Sequence, residues 1–255
     1  MKILRKITSN SFFKNVASLM TGSGISQIIA IISIPILTSL YSPNEFGEYA
    51  TYIAVISILA ILASGRYELA IMLPKSRIDS IQIFYLTQII NIFFLILFSI
   101  VLVFIDLPHV IEEKQTNMKI LICSSIFVLV LNQSLIYLAN KFNYFSAMSL
   151  SRILNSFFTA IFSMLLYKYG INGMLLGFII GNILSALNIV NKIGREFLFF
   201  KISYIIRLLK EYQDFPKKNI LSALMNVCST QVPVILITTF FGASISGYYT
   251  VALRF

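Results

Sequence analysis

The 255-residue sequence has no tryptophan, one histidine and two cysteines, and charged residues make up only 12% of it. Each shortage excludes something. A soluble domain carries about 25% charged residues; with 58% hydrophobic residues here, the fitting solvent is lipid, not water. His109 stands alone in a polar stretch with Asp106, Glu112 and Glu113, where a solvated loop is the plain reading. Cys123 and Cys228 both fall in apolar runs, with neither the spacing of a disulfide framework nor that of a zinc site. Also missing are a phosphate-cradling glycine loop, a nucleophile elbow and an Asp-x-Asp pair. The sequence therefore predicts no enzyme, no catalytic residue, no metal and no cofactor. Met1-Lys-Ile-Leu-Arg-Lys is basic, but the apolar run after it is too long for a signal-peptide core, so it is expected to remain as a spanning helix.

What the chain does have is long apolar runs. They cover about 16–41, 47–65, 81–105, 118–139, 147–167, 171–191 and 219–241, and a further one opens at 246. Roughly 20 apolar residues cross a bilayer as a helix. Period-2 alternation is absent and the runs exceed barrel strands, so the fold class is all-α and polytopic. The net charge of +10 would suit nucleic acid in a soluble protein, but its distribution points to a membrane instead. With the N-terminus placed inside, only Lys114, Lys119 and Lys168 of the 20 cations fall outside, and Arg254 lies in the last run. That bias sets the N-terminus in the cytoplasm. The segment 192–218 mixes seven cations with Phe, Ile and Leu, as an interfacial amphipathic helix does.

The stretch 12–52 returns near the end of the chain. At an offset of 200 residues Thr38 pairs with Thr238, Gly47 with Gly247 and Tyr49 with Tyr249, and each copy has an inner proline, Pro35 or Pro233. A basic start, an apolar run, a short turn and a Gly-x-Tyr restart recur in the same order. An even number of helices per copy relates the copies by an axis along the membrane normal. The expected division is a six-helix lobe over 1–200, a cytoplasmic amphipathic linker over 201–218, and the opening of a second lobe over 219–255. The chain is thus expected to be the first half, and a little more, of a two-lobe protein.

Ser18, Gly22, Ser26 and Ala30 recur every fourth residue, as do Gly173, Gly177, Gly181 and Ser185, a spacing that lets helix backbones approach in lipid. Polar side chains at membrane depth include Gln27, Gln88, Asn91, Asn132, Asn155, Asn182 and Asn188. Each serves either as glue between helices or as cavity lining. Arg152, Asn155, Ser156 and Thr159 share one helical face, a candidate cavity wall. Arg66 and Glu68 close the second run, and Arg254 lies about two turns into the eighth. For Arg66 and Arg152, snorkelling to headgroups and binding a phosphate both stand as readings. The candidate substrate-binding residues are Arg66, Arg152, Asn155, Arg254 and Gln27. No buried carboxylate stands out as a coupling site.

Further residues carry a family likeness: Asn15-Val16-Ala17, Pro35-Ile36-Leu37, the turn from Leu40 to Tyr49, Arg66-Tyr67-Glu68-Leu69-Ala70, Phe215-Pro216 and the stretch from Phe241 to Arg254. Through them the chain resembles the O-antigen flippases, polysaccharide exporters of the multidrug/oligosaccharidyl-lipid/polysaccharide exporter superfamily. The resemblance implies two six-helix lobes around a cationic cavity. It implies a polyprenyl-pyrophosphate-linked oligosaccharide moved across the bacterial inner membrane for surface polysaccharide synthesis. The implied partners are that substrate, membrane lipids and the polysaccharide polymerase machinery, with no nucleic acid. The alternatives are a cation-coupled multidrug exporter of the same superfamily, or a membrane scaffold of polysaccharide assembly that transports nothing.

Overall fold

The computed structural model describes residues 2–104, 115–194 and 202–253, with side chains described from residue 13 onward outside the flanks of those gaps. Among the described residues every regular element is helical. In chain order they are α1 (Lys2–Leu40), α2 (Pro43–Ser64), α3 (Tyr67–Ala70), α4 (Arg77–Phe104), α5 (Gln115–Lys141), α6 (Phe145–Leu165), α7 (Ile171–Ile193), α8 (Ile202–Glu211), α9 (Asp214–Phe241) and α10 (Ala243–Ala252). Seven of them, α1, α2, α4, α5, α6, α7 and α9, are long and apolar enough to cross a membrane. The protein is an all-α, multi-pass membrane protein.

Local chemistry explains the boundaries. The second apolar run opens at about 47; its helix begins earlier, at Pro43, because Ser42 caps it. The Ser42 hydroxyl accepts from the Glu45 N–H at 3.3 Å, Glu45 Oε2 accepts from the Ser42 N–H at 2.7 Å, and Pro43 fills the first position, where no N–H is needed. The other end of α2 also departs from expectation. Arg66 and Glu68 do not close the helix. It stops at Ser64, then Gly65 (φ 57°) and Arg66 (φ 59°) both turn left-handed and redirect the chain into the single turn α3. Glycine takes that conformation freely, whereas arginine gives up about 1–2 kcal/mol to do so. The amphipathic segment forms α8, which docks Ile205 and Leu208 beside α4 and leaves Ile206 exposed.

Two apolar clusters fill the bundle. One gathers Ile71, Ile83, Leu135, Leu138, Ile189 and Leu208 at the end bearing Lys75 and Lys141; the other gathers Tyr52, Ile56, Met118, Ile126 and Leu175. Between them runs a polar staple. Asn132 Nδ2 donates to Asn182 Oδ1 at 2.9 Å, and the Ser185 hydroxyl donates to Asn132 Oδ1 at 3.2 Å. The Ser151 hydroxyl donates to the Ser185 carbonyl at 2.9 Å, and Asn188 Nδ2 donates to Ser151 at 2.9 Å and to the Ala147 carbonyl at 3.0 Å. Asn132, Asn182 and Asn188 are therefore glue that ties α5, α6 and α7 into one block. Gln88 does the same for α4 and α5, donating to Ser134 at 2.8 Å. The small-residue ribbon of α7 packs closely against α6: a methyl group on Gly177 would meet Ser163 and the Thr159 carbonyl.

The repeated stretch meets its own copy. α10 crosses α2 so closely that a Cβ on Gly47 would lie 1.7 Å from the Ala243 carbonyl oxygen, and a Cβ on Gly247 would lie 2.0 Å from that of Pro43. Under the 200-residue offset these two contacts are the same contact. A local two-fold thus relates Pro43 and Gly47 to Ala243 and Gly247. Beside it the hydroxyls of Thr51 and Thr238 lie 2.7 Å apart, and Ser246 is wholly buried.

Candidate functional site

Helices in lipid bury charge reluctantly, so the arginines mark the place to look. Arg152 lies two turns into α6, about 10 Å along it at 1.5 Å per residue, inside the spanning segment Phe145–Leu165. Its side chain is half-buried, and Nη1 donates to the Ser23 hydroxyl of α1. The seam beneath it is tight: Ser149 donates to the Ser18 carbonyl at 2.6 Å, and Gly22 lies against Ser149. Among the described residues no carboxylate pairs with Arg152. An arginine at the centre of a spanning helix costs roughly 2.5–3.5 kcal/mol on insertion scales. One serine hydroxyl does not neutralise that charge.

Gln27 lies one turn beyond Ser23 on the same face of α1 and is exposed. Asn155 lies one turn beyond Arg152 on α6 and is half-buried. The structure thus places Arg152 at the α1–α6 seam, with Gln27 on the α1 face that carries Ser23, while the Asn155 backbone lies against Gly181 of α7. The expected wall is shorter than its helical spacing suggested: Thr159 lies against Gly181 of α7, so it belongs to the packing of the block. Ser23 is the residue that sequence reasoning missed. Its signal was the Ser23–Gln27 spacing, one helical turn apart on α1.

Arg66 is elsewhere, in the left-handed turn after α2. Its Nη1 reaches Glu68 Oε1 at 3.2 Å, with the arginine side chain 26% exposed and that of Glu68 only 2%. Burial pushes the Glu68 carboxyl above its ordinary range, against the opposing pull of Arg66. The reading that no buried carboxylate stands out is corrected here, since Glu68 is one. Its polarity hid its burial, and the helix end it occupies looked like a headgroup position. Arg254 lies outside the described residues. Among the described residues no three His, Cys, Asp or Glu side chains gather as a metal site.

Comparison with known proteins gives one finding of kinship. The family model described as polysaccharide biosynthesis protein matches residues 12–255, nearly the whole chain. No curated protein matches it, and no solved structure does.

Proposed function

The chain belongs to the polysaccharide biosynthesis protein family, and from that premise we propose that it moves a polyprenyl-pyrophosphate-linked oligosaccharide across the bacterial inner membrane. It would do so as part of O-antigen or capsule synthesis, acting as a transporter and not as an enzyme. The observation that carries this reading is Arg152, a cation at membrane depth with no acidic partner among the described residues, with Gln27 and Asn155 one turn farther along the two helices that meet there. A pyrophosphate and a sugar headgroup cannot cross hydrocarbon unaided. A planar guanidinium can donate two parallel hydrogen bonds to a phosphate and keep its charge, while Gln27 and Asn155 offer donors and acceptors to hydroxyls.

The cation-rich end, with Arg66, Lys75, Arg77 and Lys141, takes the cytoplasmic side, which leaves the α2–α10 crossing on the periplasmic side. Residues 1–200 then form one lobe, 201–218 the cytoplasmic linker, and 219–255 the opening of a second lobe. The local two-fold between Gly47 and Gly247 supports lobes related by an axis along the membrane normal, the arrangement of parallel-repeat transporters. With that crossing closed, the passage faces the cytoplasm. Arg66 and Arg254 complete the cationic lining of this reading, and the polymerase machinery of polysaccharide assembly is the partner that receives the product.

The test uses the full-length protein in liposomes carrying a fluorescent polyprenyl-pyrophosphate oligosaccharide in one leaflet. Arg152→Ala is expected to reduce transfer by at least about tenfold, the weight of one charge-assisted contact of 1.5–3 kcal/mol. Arg152→Lys, which keeps the charge and loses the fork, recovers part of it. Transfer at the wild-type rate in both variants removes the proposal. Transfer of a cationic dye in place of the lipid-linked sugar would favour a drug exporter.

A further inference from the structure

Helix α8 offers more apolar surface than the bundle covers. At about 3.6 residues per turn, Leu208, Ile205, Leu209 and Ile206 fall in that order around one apolar side about 160° wide, and Lys210 follows about 40° farther on. The bundle takes half of that side. Ile205 and Leu208 are 5% and 1% exposed, whereas Leu209 and Ile206 are 41% and 55% exposed. Water would be a poor neighbour for two adjacent bare aliphatic side chains.

The depth of the helix decides what covers them. Arg207 pairs with Asp79, in the first turn of α4, at 3.3 Å. Ile205 packs with Leu86, two turns or about 10 Å farther along the same spanning helix. The Tyr67 hydroxyl donates to the Leu209 carbonyl at 3.4 Å and fastens α8 to the turn after α2 as well. α8 therefore lies against the side of the bundle, level with the first turns of a spanning helix, where headgroups give way to acyl chains. A soluble partner would have to reach below the headgroups to cover its bare edge.

The cations beside that edge are weakly engaged. Among the described residues Lys210 has no carboxylate partner. Arg207 lies over the Tyr204 ring at 4.9 Å, and its pair with Asp79 is open to solvent, with side chains 56% and 26% exposed. An ion pair so exposed is readily exchanged for another anion. The carboxylate of α8, Glu211, sits about 140° round the helix from Ile206, away from the bare edge.

From this placement we propose that α8 is a binding site for anionic phospholipid of the inner leaflet. Ile206 and Leu209 enter the acyl region, while Lys210 and Arg207 meet the lipid phosphates. Each cation held near such a surface favours anionic over neutral lipid by about fivefold. The site rests on the orientation given above and not on what is transported, and its test measures no transport.

The full-length protein is reconstituted into liposomes of equal parts phosphatidylcholine and phosphatidylglycerol, with brominated acyl chains on one lipid or the other. This chain has no tryptophan, so Leu209→Trp places an indole on the bare edge, and Ile206→Trp is a second reporter should the first disturb the fold. Brominated chains are expected to quench the indole, with brominated phosphatidylglycerol several-fold more effective than brominated phosphatidylcholine. That preference should vanish when Lys210→Gln and Arg207→Gln are combined, and fade at high salt, where surface charges are screened. An indole that neither lipid quenches in either reporter lies in water or under protein, and overturns the site. Equal quenching by both lipids, or a preference that survives the double substitution, shows a contact made without these cations and overturns it too.

Discussion

The closest approach in the molecule makes the sharpest prediction. A methyl group on Gly47 would sit 1.7 Å from the Ala243 carbonyl oxygen, while an ordinary carbon–oxygen contact needs about 3.3 Å. The opposing atom is backbone, so no rotamer change relieves the clash. α2 and α10 must part by about 1.5 Å at that point, and overpacking of this kind costs about 1–3 kcal/mol. If the crossing holds one of two transport states, that cost lowers the closed population about 5- to 150-fold. The Thr51 and Thr238 hydroxyls, 2.7 Å apart, supply the gauge. With Cys123 and Cys228 replaced by serine, the pair Thr51→Cys and Thr238→Cys is expected to form a disulfide quickly on mild oxidation. Gly47→Ala should slow that reaction by roughly the same factor, and Gly247→Ala should match it, because the two contacts are related by the repeat. Gly24→Ala is the control: nothing lies within 4 Å of its added methyl, so it should leave cross-linking unchanged and stabilise α1 by about 0.5–1 kcal/mol. Unchanged cross-linking in both Gly47→Ala and Gly247→Ala would refute the argument.

Three further outcomes follow from the same geometry. Asn182→Ala leaves Asn132 Nδ2 without its acceptor and should cost about 1–3 kcal/mol in thermal or denaturant unfolding in detergent. The double variant with Asn132→Ala should fall short of additivity by about 0.6–1.7 kcal/mol, the range of side-chain hydrogen bonds between membrane helices. Stability should also fall as pH rises from the ordinary glutamate value of 4.5, since the unfolded chain loses its proton first and the raised native carboxyl loses it later. The decline stops once the native carboxyl has ionised, and Glu68→Gln should remove that segment of the pH profile of the thermal midpoint. Finally, Tyr41→Phe breaks the 2.6 Å bond from its hydroxyl to the Ser163 carbonyl and should lower stability by about 0.5–1.5 kcal/mol.

The fold was legible because lipid makes a simple demand: any spanning segment is a long apolar helix that satisfies its own backbone. The spanning helices and the amphipathic character of α8 could therefore be read from run length and residue pattern. The repeat was legible too, although three identities gave no hint that Gly47 and Gly247 touch each other. Proximity between residues 200 apart is a tertiary fact that no local pattern encodes. Polar residues were the least legible. Asn155 and Asn182 look alike in sequence, but Asn182 bonds to Asn132 inside the block, and the Asn155 side chain stays half-buried one turn beyond Arg152. Rotation of each helix decides between glue and lining, and a helix with apolar residues all round gives no phase. Glu68 was misread for a different reason: a charged residue after a glycine resembles a solvated helix end, and only the left-handed turn at Gly65 and Arg66 folds it inward.

The distribution of polar bonds argues where the molecule can move. α5, α6 and α7 share a chain of side-chain hydrogen bonds, from Asn132 through Asn182 and Ser185 to Ser151 and Asn188. Breaking it would orphan several groups at once in a medium with no water to receive them. The α2–α10 crossing is built on close backbone contact at two glycines, and the Thr51–Thr238 pair ties α2 to α9 beside it. Parting it forfeits mainly dispersion, a cost spread over small steps. A transport cycle that keeps the staple and opens the crossing is therefore cheaper than one that shears the block.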